Sequence, residues 1–190
     1  MGVTGYIILA IIVILIIYAF VLYNNLVLLK NNVATAWSNI DVLLKQRHDE
    51  LPKLVETCKQ YMGYEQQTLV KVMQAREGVQ QARTSGNVAA LGPAESQLRA
   101  TIGNLFAVAE AYPDLKANES FQQLQSRITG LESSIADRRE FYNDSVNTYN
   151  TRIEQFPPVL IARNFGFKEA SRLEIAAGDK QDVDMKALFS

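Results

Sequence analysis

The side chains best suited to chemistry in this sequence are few: a single histidine, a single cysteine, and one stretch dense in arginine, tyrosine and carboxylate. His48 is followed directly by Asp49 and Glu50, all metal-ligating types. Adjacent helical residues point about 100° apart, whereas ligands that share a face need i, i+3 or i+4 spacing. Position 52 is proline and no second histidine exists, so the trio reads as a polar helix end and no metal site is expected. Cys58 has no second cysteine for a disulfide or a CxxC pair. To act as a nucleophile it would need His48 as base, and on an apolar stripe it reads as packing. The third set lies in "SSIADRREFYNDSVNTYNTRIEQFP", residues 133–157. There Arg138, Tyr142 and Asp144 could line a pocket between helices, or the basic and aromatic residues could stack on single-stranded nucleic acid. Against nucleic acid, Lys plus Arg is 19 and Asp plus Glu is 20, a net charge of −1 with no field to hold phosphates. No Walker A loop, GxGxxG, GxSxG or HExxH occurs. No catalytic residue, cofactor or nucleic-acid partner is expected, and the chain is not expected to be an enzyme.

The elements that must position these groups are long helices. Leu26, Val33, Ile40, Arg47 and Leu54 recur in sevens, with Leu29, Ala36 and Leu43 beside them and Trp37 and Leu44 widening the stripe. That is a helix with one buried face. Pro52 is the first interruption, and either begins a second helix or kinks a continuous one. The second segment carries Leu54, Cys58, Tyr61, Leu69, Val72, Met73 and Val79 and ends in "TSGNVAALG", residues 84–92. Pro93 then suits the first turn of a third helix with Leu98, Ile102, Leu105, Ala109 and Tyr112. Asn118 is a predicted N-cap, with Glu119 in the first turn of a fourth. Phe121, Ile128, Ile135, Tyr142, Tyr149 and Phe156 lie seven apart along it, and Pro157-Pro158 stops it.

Short links between such helices favour antiparallel neighbours. The expected fold is all-α: an N-terminal transmembrane helix continuing into an antiparallel up-and-down four-helix bundle. Tyr142 and Tyr149 then belong to the seam. Arg138 falls where the companion stripe turns polar, which predicts a structural polar layer of Arg138 and Tyr142 with Asp41, Asp49 or Asp144 as the acid.

The first 29 residues carry no charge. "YIILAIIVILIIYAFVL", Tyr6 to Leu22, is almost wholly aliphatic, and with Val3 to Gly5 it reaches the roughly 20 residues a membrane helix needs. Tyr6, Leu9, Ile12, Leu15, Tyr18 and Leu22 are the predicted anchor residues, satisfied in lipid as a helix. A cleaved signal peptide is disfavoured, because there is no basic n-region, the apolar run is too long, and no A-x-A-like site follows. The expected division is an anchor at 1–23, a helical body at 24–167 and a polar tail at 168–190, whose "MKALF" ending could dock on a neighbour. Lys30, Lys45 and Arg47 follow the span, so the positive-inside rule places the body in the cytoplasm.

"YNNLVLLKNNVATAWSNIDVLLKQRHDELPKLV" (residues 23–55), "LFAVAEAYPDLKANESF" (105–121), "RREFYNDSVNTYNTRIEQFP" (138–157) and "FGF" (165–167) together resemble the bacterial LemA family. The resemblance implies one N-terminal membrane segment, a four-helix body on either side of the membrane, and no known enzymatic activity. One branch of that family is associated with magnetosome membranes. Relatives with cations before the apolar run, or a lipoprotein cysteine after it, differ from this chain, so an outward-facing body is not carried over.

The expected function is a scaffold at the bacterial inner membrane. Its expected partners are the lipid bilayer, further copies of itself as a homo-oligomer, and other membrane proteins. Tyr112, Pro113, Asp114 and Lys116 are the candidate contact surface. A membrane-tethered sensor or adaptor is the alternative, and an enzyme with an inter-helix pocket comes third.

Overall fold

The computed structural model describes residues 2–174, which are helical throughout their ordered elements and contain no strand. The elements are α1 (Val3–Lys59), α2 (Gln66–Thr84), α3 (Val88–Ala109), α4 (Pro113–Lys116), α5 (Glu119–Glu154) and α6 (Pro158–Phe165). Two compact units share the described residues: 2–38 with 140–171, and 39–139 with 172–174. The proposed "MKALF" docking segment lies outside the described residues.

Pro52 neither starts a helix nor ends one. It sits inside α1, which continues to Lys59, and the reversal comes at residues 60–65 instead. A helical proline leaves the carbonyl four residues back without its N–H donor. That carbonyl belongs to His48, and Arg76 Nε donates to it at 2.9 Å. The side chain of a second helix thus supplies the bond that proline removes.

The third helix also begins earlier than Pro93 predicts. Asn87 caps it, its side chain accepting from the Ala90 N–H, and Pro93 falls within the helix. An Asx side chain offering an acceptor two or three residues on is a stronger start signal than a proline. The Asn118 cap of α5 is found as expected: Phe121 N–H donates to its Oδ1 at 3.0 Å.

In the first unit, α1 and α5 pair with opposite direction. Trp37 meets Tyr142 with ring centroids 5.6 Å apart, and further back Leu26 shares a cluster with Tyr149, Ile153 and Ala162. Leu29, Val33, Ile161, Phe167 and Ala170 pack around that cluster. Gly166, at φ 70°, ends α6 in the left-handed conformation that glycine adopts without a Cβ penalty. The chain then returns along α5. Tyr149 Oη donates to the Lys168 carbonyl and Tyr142 Oη to that of Ser171. Asn150 makes two bonds to Ala170, donating to its carbonyl and accepting from its N–H, both at 2.9 Å.

In the second unit the polar contacts between side chains record direction. Asp41 with Arg83 and His48 with Arg76 run α2 against α1; Arg47 with Glu132 and Glu50 with Arg127 run α5 against α1. Phe106 meets Phe121 edge-on. A Cβ on Gly92 would lie 1.7 Å from the Glu174 carbonyl oxygen, so only glycine admits that close approach. The neighbouring Leu173 is buried. Packing therefore does not stop at residue 167, where the sequence placed the body's end: residues 168–174 are tied down by side chains of α5 and by α3.

Burying a large apolar side chain is worth roughly 1.5–3 kcal/mol, and the seven-residue stripe of α5 collects that gain from Phe121 to Tyr149. Phe156 does not join it. It is 80% exposed, because α5 ends at Glu154 and the periodicity has no helix beneath it.

Candidate functional site: a buried arginine and its carboxylates

The polar centre of the second unit is Arg47, not Arg138. Arg47 occupies a seam position in the first apolar series and its side chain is 1% exposed. One guanidinium nitrogen reaches both oxygens of Glu95 at 2.5 and 2.6 Å, and the other reaches Glu132 at 2.5 Å. Glu132 also accepts from Arg99 Nε at 3.3 Å. One turn along α1 the Glu50 side chain, 6% exposed, takes Lys53 at 3.3 Å and Arg127 at 3.2 Å.

Helix phase explains the arrangement. Arg47 and Glu50 are three apart on α1 and face the same way, and α3 and α5 present Glu95 and Glu132 towards them. Burial alone lowers the pKa of the Arg47 guanidinium, but the attraction of Glu95 and then Glu132, with hydrogen bonds to both, outweighs it and raises the pKa. The arginine stays charged, and removing it would leave the Glu95 and Glu132 carboxylates together without the cation between them. Among the buried side-chain atoms of this network, Arg47 Nε is left without a hydrogen-bond partner.

His48, next in sequence, faces α2. Its Nε2 lies 2.5 Å from Arg76 Nη2, and since a guanidinium only donates, Nε2 accepts and Nδ1 carries the proton. Burial first, then the Arg76 charge, lowers its pKa. Asp49 is exposed, and Glu50 belongs to the neighbouring network, so the trio diverges as its spacing predicts. Among the described residues, no three His, Cys, Asp or Glu side chains converge to hold a metal ion. Cys58 is fully buried and its thiol is pushed up to about 11 by burial. It is ten residues from His48 on one helix, about 15 Å along the axis, so the two do not form a nucleophile and base.

The polar layer read from the sequence is not assembled. Arg138 and Asp144 are exposed, while Asp41 accepts from Arg83 at 3.2 Å. Tyr142 is buried as a seam residue should be, and its hydroxyl, held protonated by burial, serves the backbone of Ser171. The physical reason is helix phase: Arg138 lies three residues beyond the buried Ile135 but on the outward edge of the stripe. The sequence contained one signal for the true cluster, an arginine inside an apolar heptad series. It contained none for Glu95 or Glu132, whose neighbours in sequence do not mark them out, nor for Asn150 as the clasp of Ala170.

Of the candidate contact surface, Pro113, Asp114 and Lys116 are exposed and Tyr112 is half-buried. They form α4 and its N-cap, pinned by buried Leu115. Lys116 pairs with Glu110. Of the predicted anchor residues, Tyr6, Leu9, Ile12, Leu15 and Tyr18 are exposed. Leu22 is not: it is 6% exposed, so the open apolar run ends at Val21 and Leu22 already belongs to the protein interior. The segment is long and apolar enough to cross a membrane, which makes it a candidate transmembrane helix.

The family model described as the LemA family matches residues 36–186. The magnetosome protein MamQ 2 of Paramagnetospirillum magneticum is 26% identical over 182 residues, covering 83% of this chain and 66% of its own length. The magnetosome protein MamQ of Magnetospirillum gryphiswaldense is 24% identical over 181 residues, with the same coverage of 83% and 66%. Protein LemA of Metamycoplasma hominis is 27% identical over 167 residues, covering 87% of this chain and 74% of its own. The chain thus spans 66% of the length of the magnetosome relatives it matches. With a helical body, an apolar N-terminal helix and a family match over most of its length, this chain belongs to the LemA family.

Proposed function

We propose that this protein is a membrane-anchored helical scaffold, which acts by assembling with itself or by holding partners at a bacterial inner membrane, without turnover. The observation that carries the reading is the continuity of α1, a single helix of 57 residues from the apolar segment to Lys59. The anchor and the body share one rod, so confinement in the bilayer plane raises the effective concentration of every surface on the body. In this reading α1, α2, α3 and α5 close into an up-and-down four-helix bundle, and the Arg47 cluster sets its register. The body faces the cytoplasm by the positive-inside rule, and the α4 corner with Pro113, Asp114 and Lys116 is the first contact surface. Likeness to proteins named for the magnetosome supports a place at a membrane.

The test is the native mass of the full chain in mild detergent by light scattering, followed by micrographs of the same peak. A regular assembly larger than a dimer is expected, and Asp114→Lys with Lys116→Glu should reduce it. A monomer that stays monomeric when reconstituted into a bilayer overturns self-assembly.

One observation favours a sensor as the second reading. A groove of about 980 Å³, lined by Pro52, Val55, Met62, Leu69, Val70 and Met73 among others, lies at the far end of the helix that carries the anchor. A ligand there would act on the same rod. In that case an apolar ligand should protect α2 from hydrogen exchange, while the native mass stays fixed.

A further inference from the structure

We infer that α6 is a second membrane contact, lying at the boundary of hydrocarbon and headgroups beside the point where α1 leaves the bilayer. This rests on the reading of residues 3–21 as a membrane span. From Val3 to Val21 the helix rises about 27 Å, close to the thickness of a hydrocarbon core. Every large side chain in that run is exposed, and although Leu28 farther on is 55% exposed, the unbroken run ends at Leu22. One residue later, Tyr23 is covered by α6 and the segment after it, with ring centroids 5.0 Å from Phe165 and 5.8 Å from Phe167. Tyr23 lies only about 3 Å along the axis beyond Val21. The level of α6 is therefore set by α1 itself: it falls within the interfacial zone, a layer of roughly 5–7 Å on each side of the core.

The composition of that corner fits the level. Phe156 is 80% exposed, Leu160 53% and Phe165 63%, three large apolar side chains within ten residues of sequence. Pro158, Ala162 and Phe165 share one face of α6, the first two buried and Phe165 packed on Tyr23, while Leu160 stands on the opposite face with Arg163 and Asn164. Exposed large apolar side chains on a soluble surface carry a hydration cost, which the acyl boundary relieves where they lie at the level of the interface. Around it stand Lys30, whose Nζ lies 6.0 Å from the Phe167 ring centroid, with Arg163, Asn164 and Lys168, and the acids Glu154 and Glu169. With both signs present, apolar insertion dominates over attraction to anionic lipid, so the occupant is a zwitterionic bilayer surface as readily as a charged one.

The experiment uses the full chain in phosphatidylcholine vesicles, with Trp37→Phe as background and one tryptophan restored at a time: Ile12→Trp, Leu160→Trp, Phe165→Trp or Phe141→Trp. Phe141 is exposed on α5, about 20 Å along the helix from its C-terminal end, and serves as the aqueous control. Lipids brominated at different acyl depths quench by proximity. Tryptophan at 12 should lose most fluorescence with deep bromines, those at 160 and 165 with the shallowest bromines, and that at 141 with none. Quenching at 12 with positions 160 and 165 behaving like 141 overturns the inference and leaves the anchor standing. No quenching at 12 overturns the anchor and the inference with it.

Discussion

Arg76 holds a proline inside a helix, and a double-mutant cycle measures how much that is worth. In α1 the His48 carbonyl has lost its regular donor to Pro52, and Arg76 Nε replaces it at 2.9 Å. Arg76 also touches His48 Nε2 and pairs with Glu77 at the surface. Arg76→Ala alone removes all three contacts. A hydrogen bond from a charged donor contributes about 1.5–3 kcal/mol. The bond is only part-buried, so water can reach the abandoned carbonyl and the loss sits near the lower limit, about 2 kcal/mol. In a Pro52→Ala background the N–H of residue 52 returns and the carbonyl is satisfied within its own helix. There Arg76→Ala should cost about 1 kcal/mol less than in the native sequence, a coupling well above the 0.3–0.5 kcal/mol of independent sites. The assay is urea unfolding of the four full-length proteins in one detergent, followed by far-ultraviolet circular dichroism. Equal costs of Arg76→Ala in both backgrounds would refute the reasoning, because the arginine would then be stabilising something other than the proline's orphan.

Further outcomes follow from other contacts. Asn150→Asp keeps an acceptor for the Ala170 N–H but sets a carboxylate against the Ala170 carbonyl; a loss of about 1–3 kcal/mol and early proteolysis at 168–171 are expected, and an unchanged melting temperature would contradict the clasp. Gly92→Ala should gain up to about 1 kcal/mol of helix propensity yet destabilise the protein, because the new Cβ meets backbone at Glu174; a raised melting temperature would contradict the contact. Cys58, with its pKa pushed up to about 11, should resist iodoacetamide at pH 8 until urea opens the fold, and stoichiometric labelling of the native protein would show it accessible. His48 is held neutral in the fold, so below its ordinary pKa of about 6.5 the unfolded chain binds the extra proton and stability falls as pH falls. His48→Gln should flatten that slope in urea melts taken between pH 7 and pH 5, and an unchanged slope would remove the histidine from the account.

Local patterns reached much of this fold and stopped where partners are distant. The stripe from Phe121 to Tyr149 was legible because each member is set by the helix repeat alone, and the same repeat misplaced Phe156 because it cannot report where a helix ends. Pro52 was ambiguous for a reason outside its neighbourhood: whether a helix survives a proline depends on a donor for the orphaned carbonyl, here on another helix. Pro93 was read as a first-turn residue of α3, but the helix starts at Val88, where the Asn87 side chain caps it. For the candidate site, Arg47 showed itself by standing in an apolar series. Its acids, 48 and 85 residues away, are specified only by tertiary packing. Arg138, beside conspicuous aromatics, drew attention that its exposed position does not support.

The scaffold role and the interfacial seating of α6 both require residues 3–21 to lie in a bilayer. The most direct measurement is retention of the full chain in vesicles after alkaline extraction, beside a variant carrying Ile12→Arg and Leu15→Arg. Each arginine near a span's centre disfavours insertion by about 2.5–3.5 kcal/mol. The native chain should stay with the lipid and the variant should be released. Native protein recovered in the alkaline supernatant would contradict the anchor, and with it the membrane role proposed for this chain.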